Sequence, residues 1–172
     1  MPRQKGLPPI YDAAAEVLIL GSFPSEKSRT QKSYYSNPSN CFWKLLCECF
    51  QEPLPTSDSQ KEALLLTHHI AVWDMIKSCE IVGSSNKNIK DCAYRSAAEI
   101  QALIDRSDIK TIVLNGKKLA RAYKKQFGAL AVRCEAVMST SAANNGRSPK
   151  RKEEWRNVLD SCISKAGAPH RT

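Results

Sequence analysis

Four short apolar segments recur along the chain, separated by longer stretches of mixed polarity. They span Val17 to Gly21, Ile70 to Trp73, Thr111 to Asn115 and Leu130 to Met138. Continuous apolar runs of this length are typical of buried strands in parallel sheets. Strands that alternate with helical segments indicate an α/β fold. We therefore expect a three-layer α/β/α architecture with a central four-stranded parallel sheet.

The stretches between these segments carry apolar residues at helical spacing. One predicted helix buries Phe42, Leu45, Leu46, Cys49 and Phe50. Another buries Ala97, Ile100, Leu103 and Ile104. The last helix is expected from about Pro149 to Lys165, with Trp155, Leu159, Cys162 and Ile163 facing inward. With 172 residues, the chain is expected to form one domain, with a short basic arm at 1–10 and a frayed tail at 166–172.

Ligands of open parallel sheets bind beyond the carboxyl ends of the strands. The candidate segments are therefore the loops Gly21 to Asn40, Asp74 to Asn88, Asn115 to Lys118 and Ser139 to Arg147. The third loop resembles a phosphate-binding loop only in its Gly and Lys residues, because the required spacing is missing. A nucleoside triphosphatase is therefore not expected.

The first loop contains the densest candidate chemistry. Asn37 followed by Pro38 predicts a helix start, with Asn37 as the cap and Asn40 in the first turn. An amide there can face the cleft, although a plain surface position is the common alternative. Tyr34 and Tyr35 can offer a flat face to a flipped base, or can belong to the core.

The fourth loop combines hydroxyls, amides, a Gly and an Arg, which suits phosphate binding and entry into a groove. It can also be an ordinary polar connection into the last helix. His68 and His69 are expected to begin the second strand, and they are more typical of packed or solvated positions than of catalytic ones.

Composition favours a polyanionic partner. The formal charge is +9 and the pI is near 9.3, which suits nucleic acid but also an ordinary solvated basic surface. Seven scattered cysteines without a Cys-x-x-Cys spacing indicate reduced thiols and no metal site. Since no apolar run approaches a membrane span, we expect a cytoplasmic protein, or a nuclear one in a eukaryote, with no membrane partner.

Four segments occur in an order that is more specific than any one of them. They are Leu18 to Ser25, Tyr34 to Trp43, Ala71 to Ile76 and Ser139 to Asn144. Together they resemble the uracil-DNA glycosylase superfamily, most closely its hypoxanthine-DNA (deoxyinosine) glycosylase branch, from about residue 16 to 160. The resemblance implies a monomeric, monofunctional, cofactor-free enzyme. Such an enzyme flips a deaminated base from DNA and hydrolyses its N-glycosidic bond.

The resemblance also implies roles for individual residues. Phe23 stands where mismatch-specific relatives have the water-positioning Asn of Gly-Ile-Asn-Pro-Gly, and that role is expected to pass to Asn40 in the Asn-Pro-x-Asn-x-Phe-Trp segment. Asn115 matches a second catalytic Asn. Tyr35 is expected to stack on the base, and the main chain of Ser22 and Phe23 is expected to donate to the base edge.

The fourth loop corresponds to the segment that enters DNA beside the lesion. The residues expected to contact DNA are Ser139, Thr140, Ser141, Asn144 and Arg147. Ala142 stands where a Pro is common in the family. Two other interpretations remain open: a uracil or mixed-specificity glycosylase, and a non-catalytic module that binds DNA by stacking and charge. A lyase would need a lysine that forms a Schiff base, and no lysine is singled out.

Overall fold

The computed structural model describes residues 3–81 and 88–164. Within them the strands are β1 (Gln4–Lys5), β2 (Val17–Gly21), β3 (Ile70–Asp74), β4 (Ile76–Ile81), β5 (Ile89–Tyr94), β6 (Thr111–Asn115) and β7 (Arg133–Val137). The α-helices are α1 (Glu26–Gln31), α2 (Phe42–Phe50), α3 (Asp58–Thr67), α4 (Ala97–Asp105), α5 (Ala120–Phe127) and α6 (Ser148–Cys162). Short 3₁₀ helices span Lys117–Leu119 and Ala142–Arg147.

The central sheet has four parallel strands in the order β3-β2-β6-β7, flanked by helices. Every residue of β2, β3 and β6 is buried, which explains their continuous apolar runs. The predicted fold class is confirmed. The fourth strand begins at Arg133 rather than Leu130, because the N–H of Leu130 donates to the carbonyl of Phe127 and closes the turn after α5.

A second, antiparallel sheet of order β1-β4-β5 lies where the sequence indicated a polar loop after the second strand. That prediction is wrong for β4, whose buried Ile76, Cys79 and Ile81 pack with Phe23 in a small separate cluster. β1 pairs with β4, so part of the expected N-terminal arm belongs to this sheet. Residues 82–87 lie outside the described part of the chain.

The predicted helices are present, but α2 begins later and α6 ends earlier than the sequence predicted. Trp155 and Leu159 of α6 are almost fully buried, whereas Cys162 and Ile163 are only partly buried. α6 ends at Cys162, before the predicted Lys165, and the tail 166–172 is outside the described residues. His68 and His69 close the end of α3 and precede β3, so the prediction that they begin a strand is wrong. α1 was not predicted, because its sequence Glu-Lys-Ser-Arg-Thr-Gln lacks an apolar face.

No helix in ranges 3–81 and 88–164 is long and apolar enough to cross a membrane. In the same ranges, no group of three or more His, Cys, Asp or Glu side chains is arranged to hold a metal ion. All seven cysteines are free thiols.

Candidate active site

The loops that follow the parallel strands meet around one cavity at the carboxyl edge of the sheet. Its volume is about 150 Å³, below the roughly 300–1,000 Å³ of pockets for drug-sized ligands. Of the predicted site residues, those that line it are Ser22, Phe23, Tyr35, Asn40, Asn115, Ser139 and Ser141. These seven are half of the fourteen residues that line the cavity, whose small volume suits a single base.

Tyr35 is held in an uncommon backbone conformation. Its φ is 53°, in the left-handed region that non-glycine residues rarely adopt. The ring stacks on Phe42, with centroids 3.9 Å apart. Tyr34 does something else: its hydroxyl donates to the carbonyls of Leu7 and Pro8, so it ties the N-terminal segment to the core. Both tyrosines line the cavity, but Tyr34 anchors the N-terminal segment whereas the strained Tyr35 stacks on Phe42.

Asn40 lies just before α2 rather than inside its first turn. Its Oδ1 accepts a hydrogen bond from the main-chain N–H of Phe42 at 3.0 Å. The predicted cap, Asn37, instead turns its Oδ1 onto the N–H and hydroxyl of Ser39, so the prediction of a helix from Pro38 is wrong. Because a carbonyl oxygen has two lone pairs, Oδ1 of Asn40 can still accept from a water molecule in the cavity.

Asn115 is buried at the end of β6, and both polar atoms of its amide bind Thr140. Its Nδ2 donates to the Thr140 hydroxyl at 3.0 Å, and its Oδ1 accepts from the Thr140 N–H at 2.9 Å. Thr140 is fully buried, so it does not line the cavity. The pair therefore fixes the start of the fourth loop against the end of the central sheet.

Ser22 and Phe23 line the cavity from the end of β2. Phe23 is 4% exposed and packs against the second sheet, with the Arg29 guanidinium over its ring. The carbonyl of Ser22 accepts from the N–H of Ile76. The second sheet therefore supports the loop where the resemblance places contacts to the base edge.

Asp74 is the cavity residue that sequence reasoning missed. It ends β3 directly opposite Gly21 of β2, and it is 3% exposed. Burial raises the pKa of its carboxyl to about 7, and the nearby Arg95 charge opposes the rise. Its position directly after a predicted buried strand, as the first residue of a candidate loop, was the available signal, because such residues lie at the carboxyl edge of the sheet.

The fourth loop is fastened to the rest of the protein at several points. The N–H of Cys41 donates to the carbonyl of Thr140 at 3.0 Å, and Nδ2 of Asn145 donates to the carbonyl of Ser39 at 3.2 Å. From α6, the buried Arg151 donates to the carbonyls of Ser139 and Ser141 and to the side chain of Asn145. Arg151 was not singled out in the sequence, where it is one of several basic residues at the start of that helix.

A cationic depression adjoins the cavity and shares Ser22, Asn115, Ser139 and Ser141 with it. The basic side chains along it are Lys117, Lys118, Arg147 and Lys150. Lys117 pairs with Glu154, whereas no salt bridge within the described ranges engages the other three. Asn144 also lines this depression. Four of the five residues predicted to contact DNA line this positively charged surface: Ser139, Ser141, Asn144 and Arg147. The prediction is wrong for Thr140, which is fully buried because it binds Asn115.

The family model of the uracil DNA glycosylase superfamily matches residues 8–161. The chain belongs to the uracil DNA glycosylase superfamily. Two relatives named hypoxanthine DNA glycosylase, from Methanosarcina acetivorans and Methanosarcina barkeri, are each 31% identical to it. The alignments cover 91% and 89% of this chain, and 98% and 96% of the relatives. The resemblance to the hypoxanthine branch of this superfamily is confirmed.

A solved glycosylase fold also matches. A solution NMR structure from Methanosarcina acetivorans, assigned to the uracil DNA glycosylases, superimposes with a TM-score of 0.79 at 28% identity. The match covers 94% of this chain and 99% of the other.

His68 and His69 are not among the residues that line the cavity. His68 pairs with Glu52 and stacks on Phe50.

Proposed function

We propose that this glycosylase excises hypoxanthine from DNA by hydrolysis and leaves an abasic site. The observation that carries the proposal is the single-base cavity at the carboxyl edge of the sheet, which opens beside the cationic depression. The depression suits the phosphate backbone, and the cavity suits a base turned out of the duplex. The names of the two archaeal relatives support hypoxanthine as the base.

In the proposed reaction the flipped base lies against Tyr35, and Asn40 orients a water molecule toward the sugar. The C1′–N9 bond breaks with its electron pair on the base, the water oxygen bonds to C1′, and a proton from that water ends on the released base. Asn40 cannot act as a strong base, so its contribution is orientation through Oδ1. Orientation of a reactant supplies several kcal/mol in well-positioned reactions.

Asn115 serves this reaction mainly through position. Its amide is engaged by Thr140, and its side chain also lies beside the Tyr35 hydroxyl. We propose that it holds the fourth loop at the mouth of the cavity, where Ser139 and Ser141 contact the DNA strand beside the lesion. Asn144 and Arg147 then contact phosphates along the depression.

The direct test uses a duplex with a single deoxyinosine, excess protein, and alkali to cleave abasic sites. We expect a strand break at the inosine position only after alkali treatment, because a monofunctional enzyme forms no Schiff base with the sugar. A duplex of the same sequence with deoxyadenosine is the control. Absence of any break with excess protein would contradict the proposal, and tight binding without release would favour a non-catalytic module.

Uracil is the second candidate base, supported by the superfamily to which the chain belongs. The same assay on duplexes that contain deoxyuridine or deoxyxanthosine compares the rates at which uracil, xanthine and hypoxanthine are released. The replacement of the water-positioning Asn by Phe23 leads us to expect slower release of uracil than of hypoxanthine. A faster release of uracil would reverse the assignment of the preferred base.

Salt dependence tests the cationic depression. We expect Lys118→Ala and Lys150→Ala each to weaken binding to duplex DNA of any sequence. Each should also lower the slope of log affinity against log salt by about one, the effect of losing one phosphate contact. Lys110→Ala is the matched control, since Lys110 precedes β6 at the opposite edge of the sheet. Anisotropy titrations over a range of salt concentrations measure these slopes, and equal slopes for all variants would place the DNA elsewhere.

A further inference from the structure

One oxygen in the base cavity has no partner in the protein. Oδ2 of Asp74 is buried and accepts no hydrogen bond from any residue in 3–81 or 88–164. Buried polar atoms are almost always hydrogen-bonded, and an unpaired one calls for an explanation such as an absent ligand. The hydroxyl of Tyr35 is also buried, and the side-chain amide of Asn115 lies close enough to lower the pKa of this phenol. Asp74 thus combines an unpartnered carboxyl oxygen with a place in the lining of the cavity assigned to the base.

The nearby guanidinium of Arg95 forms no hydrogen bond with the Asp74 carboxyl. Arg95 is buried beside it, but its guanidinium donates to the main-chain carbonyls of Asp74 and Leu7 and lies over the Trp73 ring. No salt bridge to the Asp74 carboxylate occurs within the described residues. Asp74 is therefore free to engage a group that enters the cavity.

Gly21 makes room for this side chain. A Cβ at Gly21 would lie 2.5 Å from Oδ1 of Asp74 and 3.2 Å from the Tyr35 hydroxyl. Any larger residue would therefore displace the carboxyl from the cavity wall. The absence of a side chain at Gly21 thus leaves space for the carboxyl beside the Tyr35 hydroxyl, in the lining of the cavity.

We propose that Asp74, as a neutral carboxylic acid, binds the lactam edge of the flipped base. Its O–H donates to the 6-oxo oxygen of hypoxanthine while its carbonyl oxygen accepts from the N1–H. This inference rests on the proposed function, and it names the chemistry by which the cavity recognises a deaminated base. A carboxylic acid and a lactam each carry one donor and one acceptor side by side, so the two pair through two hydrogen bonds.

The pairing strengthens as the base departs. The electron pair of the broken glycosidic bond spreads over the base onto its 6-oxo oxygen, where the Asp74 O–H stabilises it. Donors aimed at charge that develops in the transition state are among the largest contributions to catalysis. Adenine can also pair with a carboxylic acid, but it has no such oxygen, so it gains less in the transition state.

The surroundings of Asp74 favour the neutral form. Burial raises the pKa of Asp74 to about 7 and Arg95 lowers it, while burial also raises the pKa of Tyr34 and Tyr35. Both phenols therefore stay neutral in the physiological range, which leaves Arg95 as the one charged group acting on Asp74 in that balance. A bound base removes water from the cavity and raises the pKa further, because desolvation disfavours the charged carboxylate.

The test compares wild type, Asp74→Asn and Asp74→Leu in single-turnover release of hypoxanthine at saturating protein, from about pH 6 to about pH 9. Wild-type rates should fall with rising pH as Asp74 ionises. Asp74→Asn should retain activity and lose this fall, since an amide carries the same donor and acceptor but does not titrate. Asp74→Leu should lose at least about 100-fold, the loss expected for removing an oxyanion donor. Asp108→Asn, at an exposed position before β6, is the control.

The outcomes for the two Asp74 variants and for wild type separate the role of Asp74 from the glycosylase activity itself. Wild-type rates in Asp74→Leu, or an unchanged pH profile in Asp74→Asn, would overturn the inference while the glycosylase activity stands. No base release by wild type from any substrate would overturn the proposed function and this inference together. Circular dichroism melting identifies a variant that fails to fold, and in that case the pH profile of the near-isosteric Asn variant decides alone.

Discussion

Asn40→Ala is expected to lower the single-turnover rate of hypoxanthine release by at least about tenfold, the scale for loss of a positioned catalytic group. The Oδ1 of Asn40 is fixed by the N–H of Phe42, and Asn40 lines the cavity, so its second lone pair can accept from a water molecule there. Alanine removes this oxygen and leaves the water without orientation. The rate is measured with saturating protein on a deoxyinosine duplex, so that binding does not enter it.

Asn40→Asp separates catalysis from folding. Alanine also removes the acceptor for the first N–H of α2, and loss of such a cap costs about 1 kcal/mol of stability. Aspartate keeps that acceptor and can still hold the water, so we expect it to retain most of the rate. Asn157→Ala, on the exposed face of α6, controls for the loss of an amide elsewhere. A full rate in Asn40→Ala would remove the water-orienting role from this residue.

Asp74→Asn is expected to stabilise the free protein at about pH 8 by up to about 4 kcal/mol. That figure follows from the difference between the ordinary carboxyl pKa of 3.8 and the folded value of about 7. Since the folded pKa is the higher one, the folded state holds its proton more tightly. The contribution of Asp74 to stability is therefore greatest below pH 3.8, declines as pH rises toward 7, and stays low above it.

Urea unfolding at about pH 5 and about pH 8 measures this effect. The gain in the free energy of unfolding from Asp74→Asn should be clearly larger at the higher pH, because the wild-type carboxyl is then ionised without a partner. Asp108→Asn should show no such difference. An equal gain at both pH values would mean that the folded carboxyl titrates normally.

The parallel strands were predictable because burial on both faces leaves a continuous apolar run. The second sheet was not, since β4 buries Ile76, Cys79 and Ile81 at irregular spacing, with register shifts in its pairing to β5, and exposes Lys77. Its partner β1 is only two residues long. Both elements depend on pairing with distant segments, which single-chain periodicity does not reveal.

About half of the cavity wall was predictable to the level of residue position, but hydrogen-bond partners were not. Asn37 is a good cap by residue type, yet α2 begins after Cys41, whose N–H binds the carbonyl of Thr140 about 100 residues away. Asp74 appeared as the first residue of a polar loop. Its chemical interest arises from burial and from the missing partner, which only the packing of β2 against β3 determines.

The bonds from α6 fix the fourth loop before any ligand arrives. Arg151 binds two carbonyls of the loop, and Trp155 binds the carbonyl of Met138 just before it. These side chains stiffen the loop from behind, so Ala142 does not imply a loose segment. The conformational entropy of this loop is lost when the protein folds, not when it binds. If the loop enters DNA as proposed, it does so as a wedge whose shape is already set.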